Sequence, residues 1–203
     1  MTLFVDVLTN QLIVMSVVFL ALAYGLLRMY RVHSTAMDYR NALQVVYVPL
    51  LLFGSLIALT GIYGLLVWPL VSSYNILFYD LYPVLGIGIV GIAVAVKYGY
   101  KLEGLGFTSL LFGLVTIYYG VQGYLHNMTN EPLALLGLYS LVGLSSIFFY
   151  PVTQILDNGK GWRIFLVIDA VLLILAALLA GYIGLLAVPE HLVGFSKWVP
   201  PAI

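Results

Sequence analysis

The chain contains no cysteine, which excludes disulfides, zinc–thiolate sites, iron–sulfur clusters and a cysteine nucleophile. It has little charge: eight Lys and Arg against eight Asp and Glu, 8% of residues in 203, and no formal net charge. A soluble domain carries about a quarter charged residues, so this chain lacks the polar surface to cover a globule. Neutrality also argues against a nucleic-acid partner. Catalytic signatures are missing too. There is no Gly-x-Ser-x-Gly, no His-Glu-x-x-His and no phosphate-binding glycine loop with its lysine. Gly86-x-Gly88-x-x-Gly91 has dinucleotide spacing, but it follows no strand and reads as helix packing within a membrane span.

What is present is apolar: 63% of residues are hydrophobic. Six segments reach the roughly 20 residues that a helix needs to cross a hydrocarbon core. They cover 11–30, 42–68, 83–101, 105–125, 132–155 and 163–187. Strands are not expected, because the runs lack polar/apolar alternation and are too long for barrel strands. The first run has no small-residue cleavage site after it and reads as a retained span. The expected fold is thus a single all-α polytopic membrane domain over 1–203. Pro49 predicts a kink in the second span and Pro151 a bend near the end of the fifth. Pro132 and Pro189 read as helix boundaries.

Basic residues orient the chain. Arg28, Arg31, Arg40, Lys97, Lys101, Lys160 and Arg163 flank alternate loops, with Lys197 alone on the other side. The positive-inside rule makes their side cytoplasmic, puts both termini outside and predicts a multi-pass protein of the cell membrane. Asp6, Asp80, Glu131 and Glu190 then lie outside, as does the sequon Asn127-Met128-Thr129, which makes Asn127 a glycosylation candidate.

The spans repeat. Gly61, Gly64, Leu65, Leu66 and Pro69 recur at the same spacing as Gly181, Gly184, Leu185, Leu186 and Pro189, and Gly120 and Gly123 make a fainter middle copy. Small residues allow close helix approach in lipid, so three helical hairpins in a row are expected, with these glycines at the packing surfaces. Aromatic side chains gather at the outer side: Trp68, Tyr74, Phe78, Tyr79 and Tyr82 around the second link, then Tyr124 and Trp198. Such rings suit an interface. The link Leu70–Tyr82 is too apolar for a free loop and is expected to fold against the outer surface, and the tail after Pro189 to form another interfacial element.

Trp68-Pro69-Leu70 followed by Ser73-Tyr74-Asn75-Ile76-Leu77-Phe78, between two long spans, resembles a family of predicted archaeal membrane proteins of unknown function. The motif covers about eleven residues and the hydropathy pattern most of the chain. Asp80 and Pro83 are similar to an acidic residue and proline of that family, at a stretched spacing. The resemblance implies a fold, an archaeal source and an outer linker carrying Trp68, Asn75 and Asp80. It implies no reaction.

No cofactor is expected. A bis-histidine haem needs histidines facing each other inside the bundle, and His33, His126 and His191 all fall near the ends of spans. His126 and His191, near Glu131 and Glu190, are the candidates for a surface metal, but read as solvated interfacial residues. Thr60, Tyr63, Tyr118, Tyr119, Gln122, Tyr139, Ser140, Ser145 and Ser146 are polar groups at membrane depth that either line a solute or quinone cleft or bridge helices. Asp169 lies six residues inside Arg163, about 9 Å along its helix, and is expected to form a buried ion pair with Lys97 at comparable depth. The alternative has Asp169 bonded to a Ser or Tyr while Lys97 snorkels outward. With almost no mass outside the bilayer, the chain reads as a non-catalytic subunit of a larger, respiratory membrane complex, with other membrane subunits as partners. The alternatives are a small-solute, ion or proton transporter and a lipid- or quinone-modifying membrane enzyme.

Overall fold

A computed structural model describes residues 7–32, 35–194 and 196. Asp6, His33, Lys197 and Trp198 lie outside the described residues. Among the described residues eight helices follow in order: α1 (Val7–Arg31), α2 (Ala36–Gln44), α3 (Tyr47–Val67), α4 (Tyr74–Tyr79), α5 (Tyr82–Tyr98), α6 (Glu103–Leu125), α7 (Pro132–Asn158) and α8 (Ile164–Gly194). There is no strand among the described residues. Six helical stretches are long and apolar enough to cross a membrane; one of them joins α4 and α5 over Tyr74–Tyr98.

Two prolines behave differently from expectation. Pro49 does not kink a long second span, because that span is two helices. The polar stretch Ala36–Gln44 forms α2 at the basic end, closed by a capping box between Thr35 and Asp38. Pro49 then falls in the first turn of α3, where a backbone N–H has no intrahelical partner to lose. Pro189 does not end the last span: it sits inside α8, which continues to Gly194. Pro151 likewise lies within α7, which runs on to Asn158.

The spans associate as three close pairs, α3 with α5, α6 with α7, and α1 with α8, while α1–α3 and above all α5–α6 touch only slightly. The tight hairpins are therefore those closed by the links 68–73 and 126–131, not the successive pairs of spans. Glycine permits each pairing. A methyl at Gly61 would lie 2.6 Å from the Pro83 nitrogen on α5, and one at Gly64 would enter the Tyr79 ring. Gly120 and Gly123 of α6 receive Tyr139 and Leu135 of α7; Gly181 and Gly184 of α8 receive Ser16, Leu12 and Ile13 of α1. All six glycines of the repeated pattern thus face the partner helix or, at Gly64, the segment leading into it. Close packing supplies dispersion that lipid cannot, since no hydrophobic drive exists between helices in a bilayer.

The ends of the bundle are fastened by polar groups. At the basic end Arg40 is buried and its guanidinium reaches four partners: the Asp157 carboxylate at 2.5 Å and the carbonyls of Leu156, Ala95 and Tyr100 at 3.2, 3.4 and 2.9 Å. The other oxygen of Asp157 accepts from the Leu102 and Glu103 amides at 2.8 and 2.9 Å, which otherwise have no partner at the start of α6. At the opposite end the link from α3 turns back into the bundle. Trp68 closes α3 in a left-handed conformation (φ 54°) and donates its amide to the Gly64 carbonyl. Asn75, fully buried, donates to that same carbonyl at 3.1 Å and accepts from the Leu70 amide at 3.2 Å. The link folds against the bundle, with Asn75, Leu77 and Tyr79 of α4 all buried.

Candidate functional site

Three pairs joined loosely leave room between them. The space is a chamber of about 790 Å³, in the range of small-molecule sites, walled by α1, α5, α6, α7 and α8 with contributions from α2 and α4. Its lining is chiefly aliphatic and aromatic, including Phe19, Leu85, Ile89, Leu138 and Phe149. Leu105 of α6 rests over Gly91 of α5 near the basic end, and Tyr119 of α6 donates to Asp80 at 2.8 Å near the other. Between those two crossings Ile87, Gly88, Thr108 and Phe112 line the chamber from the two helices that meet least.

The polar groups on the wall divide into two kinds. Most hydroxyls are already satisfied by backbone carbonyls: Thr108 by Leu105, Ser109 by Ser146, Thr116 by Phe112, Ser146 by Val142, and Tyr139 by Leu77 at 2.6 Å. Thr9 and His191 meet at 3.2 Å across α1 and α8. Three buried side chains on the wall keep unused capacity: Gln11, Asp169 and Tyr82, whose hydroxyl has no partner of hydrogen-bond geometry. The Gln11 amide, 3% exposed, has no partner of hydrogen-bond geometry for its Nε2, although the Tyr79 hydroxyl is an electrostatic neighbour. Asp169, 1% exposed, accepts one bond, from Ser145 Oγ to Oδ1 at 2.5 Å, and its Oδ2 accepts none.

The expected pair of Asp169 and Lys97 is not brought together. Asp169 turns to Ser145 of α7, whereas Lys97 is exposed and stands over the Tyr47 ring at 5.5 Å. Arg40 and Asp157, 117 apart in sequence, do form an ion pair. His191 lines the chamber while His126 is exposed at the end of α6, and no three His, Asp or Glu side chains cluster among the described residues. Asn127 is exposed in the α6–α7 turn with φ 49°. Trp68 is half exposed, and Asp80 is held by Tyr119. Of the polar residues expected at membrane depth, Tyr139, Ser145 and Ser146 reach the chamber, while Thr60 bonds back to its own helix. Gln11, Thr9, Thr108, Ser109 and Thr116 were not anticipated. Gln11 is the one a sequence signal marks, as an amide at the very start of the first apolar run.

These features define the class: a multi-pass, all-helical membrane protein whose helix pairs enclose an apolar chamber. The chain belongs to the family described as Protein of unknown function (DUF981), whose profile matches residues 1–194. No curated protein and no solved structure matches it.

Proposed function

We propose that this protein binds a lipophilic molecule of the lipid or quinone class in the chamber between its helix pairs. The observation that carries this reading is the chamber itself. A membrane bundle without a ligand gains dispersion by closing such a space, and apolar voids of this size are costly to leave unfilled. The loosely joined α5 and α6 supply a route from the bilayer that never passes through water. Organic extraction of the purified chain, followed by mass spectrometry, tests the reading. A lipophile in near-stoichiometric amount is expected, and it should be absent from Val142→Trp and Ile87→Trp, which fill the chamber from opposite walls. Equal recovery from all three proteins would sink the proposal.

The basic end faces the cytoplasm in this reading, and the three successive pairs of spans descend from one repeated unit, as the recurring glycine pairs suggest. A cysteine at Asn158 should resist an impermeant maleimide added from outside, and one at Asn130 should react; the reverse pattern inverts the topology.

A second reading makes the protein a subunit of a larger membrane complex. It is favoured by α6, the least buried of the spans, whose exposed side chains Phe107, Leu111, Leu114, Tyr118 and Val121 follow helical spacing. Purification from native membranes as a lone species of 22.3 kDa would count against it.

A further inference from the structure

Asp169 and Gln11 mark the two ends of the chamber. Gln11 lies beside Leu12, which packs on Gly184, so its level on α8 is close to residue 185. Sixteen helical residues separate that level from Asp169, a distance of roughly 24 Å at 1.5 Å per residue. The space is therefore long, and its occupant is chain-like. At the Asp169 end the polar groups of the wall are Ser145, Ser146, Ser109 and Thr108, the last bonded back to the Leu105 carbonyl. Ser146 and Ser109 donate to backbone carbonyls, and Ser145 donates to Asp169 Oδ1. Among the described residues no ion pair to Asp169 forms: Lys97 is held over Tyr47, and Arg163, the nearest base in sequence, reaches the Tyr30 carbonyl and ring. A carboxylate oxygen at membrane depth with neither cation nor donor is costly. What it lacks is an O–H or N–H donor.

Resting on the chamber reading above, we infer that the ligand is a long-chain lipophile bearing a hydroxyl group, which donates to Asp169 Oδ2 while Ser145 holds Oδ1. The chain then runs along Leu173, Leu138 and Phe19 towards Gln11. Ser145 positions the carboxylate without touching the ligand. Two sources offer this chemistry, a polyprenyl alcohol and an isoprenoid quinol. An apolar chain without a donor fills the same space but leaves Oδ2 unsatisfied, so discrimination by the O–H is the signature of the site.

The test uses the full chain in detergent, with tritiated geranylgeraniol, its methyl ether and a reduced menaquinone with a twenty-carbon side chain as probes. The wild type should bind the alcohol or the quinol at least tenfold more tightly than the ether, and whichever is preferred identifies the source. Asp169→Leu should lower that affinity to the level of the ether while ether binding persists, which also shows that the variant has folded. Asp169→Asn keeps an acceptor and should restore most of the preference. Equal binding of alcohol, quinol and ether by the wild type, abolished together by Val142→Trp, would overturn the hydroxyl inference and leave the chamber reading standing. Failure of every probe to bind would overturn both.

Discussion

The two ends of the bundle are held by different physics. At the basic end one guanidinium and one carboxylate, both buried, join α2, α5, α6 and α7 through charge-assisted bonds. At the opposite end the fastenings are mostly single bonds between groups such as Asn75 and Gly64 or Tyr139 and Leu77. Thr129, Gln11, Tyr79 and Tyr82 keep buried polar atoms without a hydrogen-bond partner there, against Gln154 at the basic end. The comparison teaches where the fold tolerates change. The basic end acts as a rivet that fixes helix order, and the far end, together with the α5–α6 seam, can accommodate a guest.

The largest effect is therefore expected at the rivet. Asp157→Ala strands the Arg40 guanidinium in a buried site and uncaps α6 in the same step. Breaking one side of a buried pair costs about 3–5 kcal/mol, so this substitution should lower the melting midpoint in detergent more than any single change at the opposite end. Asn75→Ala, which removes two bonds of a fully buried amide, is the reference for that comparison. If Asn75→Ala proves the more damaging, the two ends have been ranked the wrong way round.

A smaller contrast lies within one turn of α5. Gly86 meets the backbone of Ala58 and Gly54 on α3, so Gly86→Ala forces α3 and α5 apart; overpacking of this kind costs roughly 1–3 kcal/mol. Gly88 points into the chamber, with no atom within 4 Å of where a methyl would sit. Gly88→Ala should be neutral or stabilise by roughly 0.5–1 kcal/mol through the helix preference for alanine. Thermal melts of the two variants check this. Equal losses would mean that α5 is packed on both faces and that no chamber lies behind it.

Much of this was legible in the sequence, and the limits have physical causes. Hydrocarbon thickness sets span length, so hydropathy marked six apolar runs, and at each of them stands a helical stretch long and apolar enough to cross a membrane. The errors at Pro49 and Pro189 arose because a proline kinks or ends a helix only in certain positions. In the first turn it costs nothing, and inside α8 the remaining ladder carries the helix through. Small-residue stripes announced close packing at Gly61, Gly120 and Gly181 but not which neighbour would fill them. Glycine records an approach and not the identity of what approaches. Arg40 and Asp157 stand far apart in the chain, and nothing in either neighbourhood points to the other. The chamber left only a faint signal, in polar residues at membrane depth such as Tyr139, Ser145 and Ser146, since a void belongs to the space between helices.

The smallest expected effect separates the sequence reading of Asp169 from the structural one. Equal depth of Asp169 and Lys97 suggested an ion pair, and an ion pair makes the two single losses partly redundant. In the structure Asp169 spends its one bond on Ser145, and Lys97 is exposed above Tyr47. Residues that share no partner add in their effects within about 0.3–0.5 kcal/mol. A thermal-melt cycle through the wild type, Asp169→Ala, Lys97→Ala and the double variant should therefore show additive shifts. The companion cycle through Asp169→Ala and Ser145→Ala should not, because either change alone leaves the other side chain without its buried partner. Coupling in the first cycle and additivity in the second would return Asp169 to Lys97 and leave its Oδ2 with no call on a ligand.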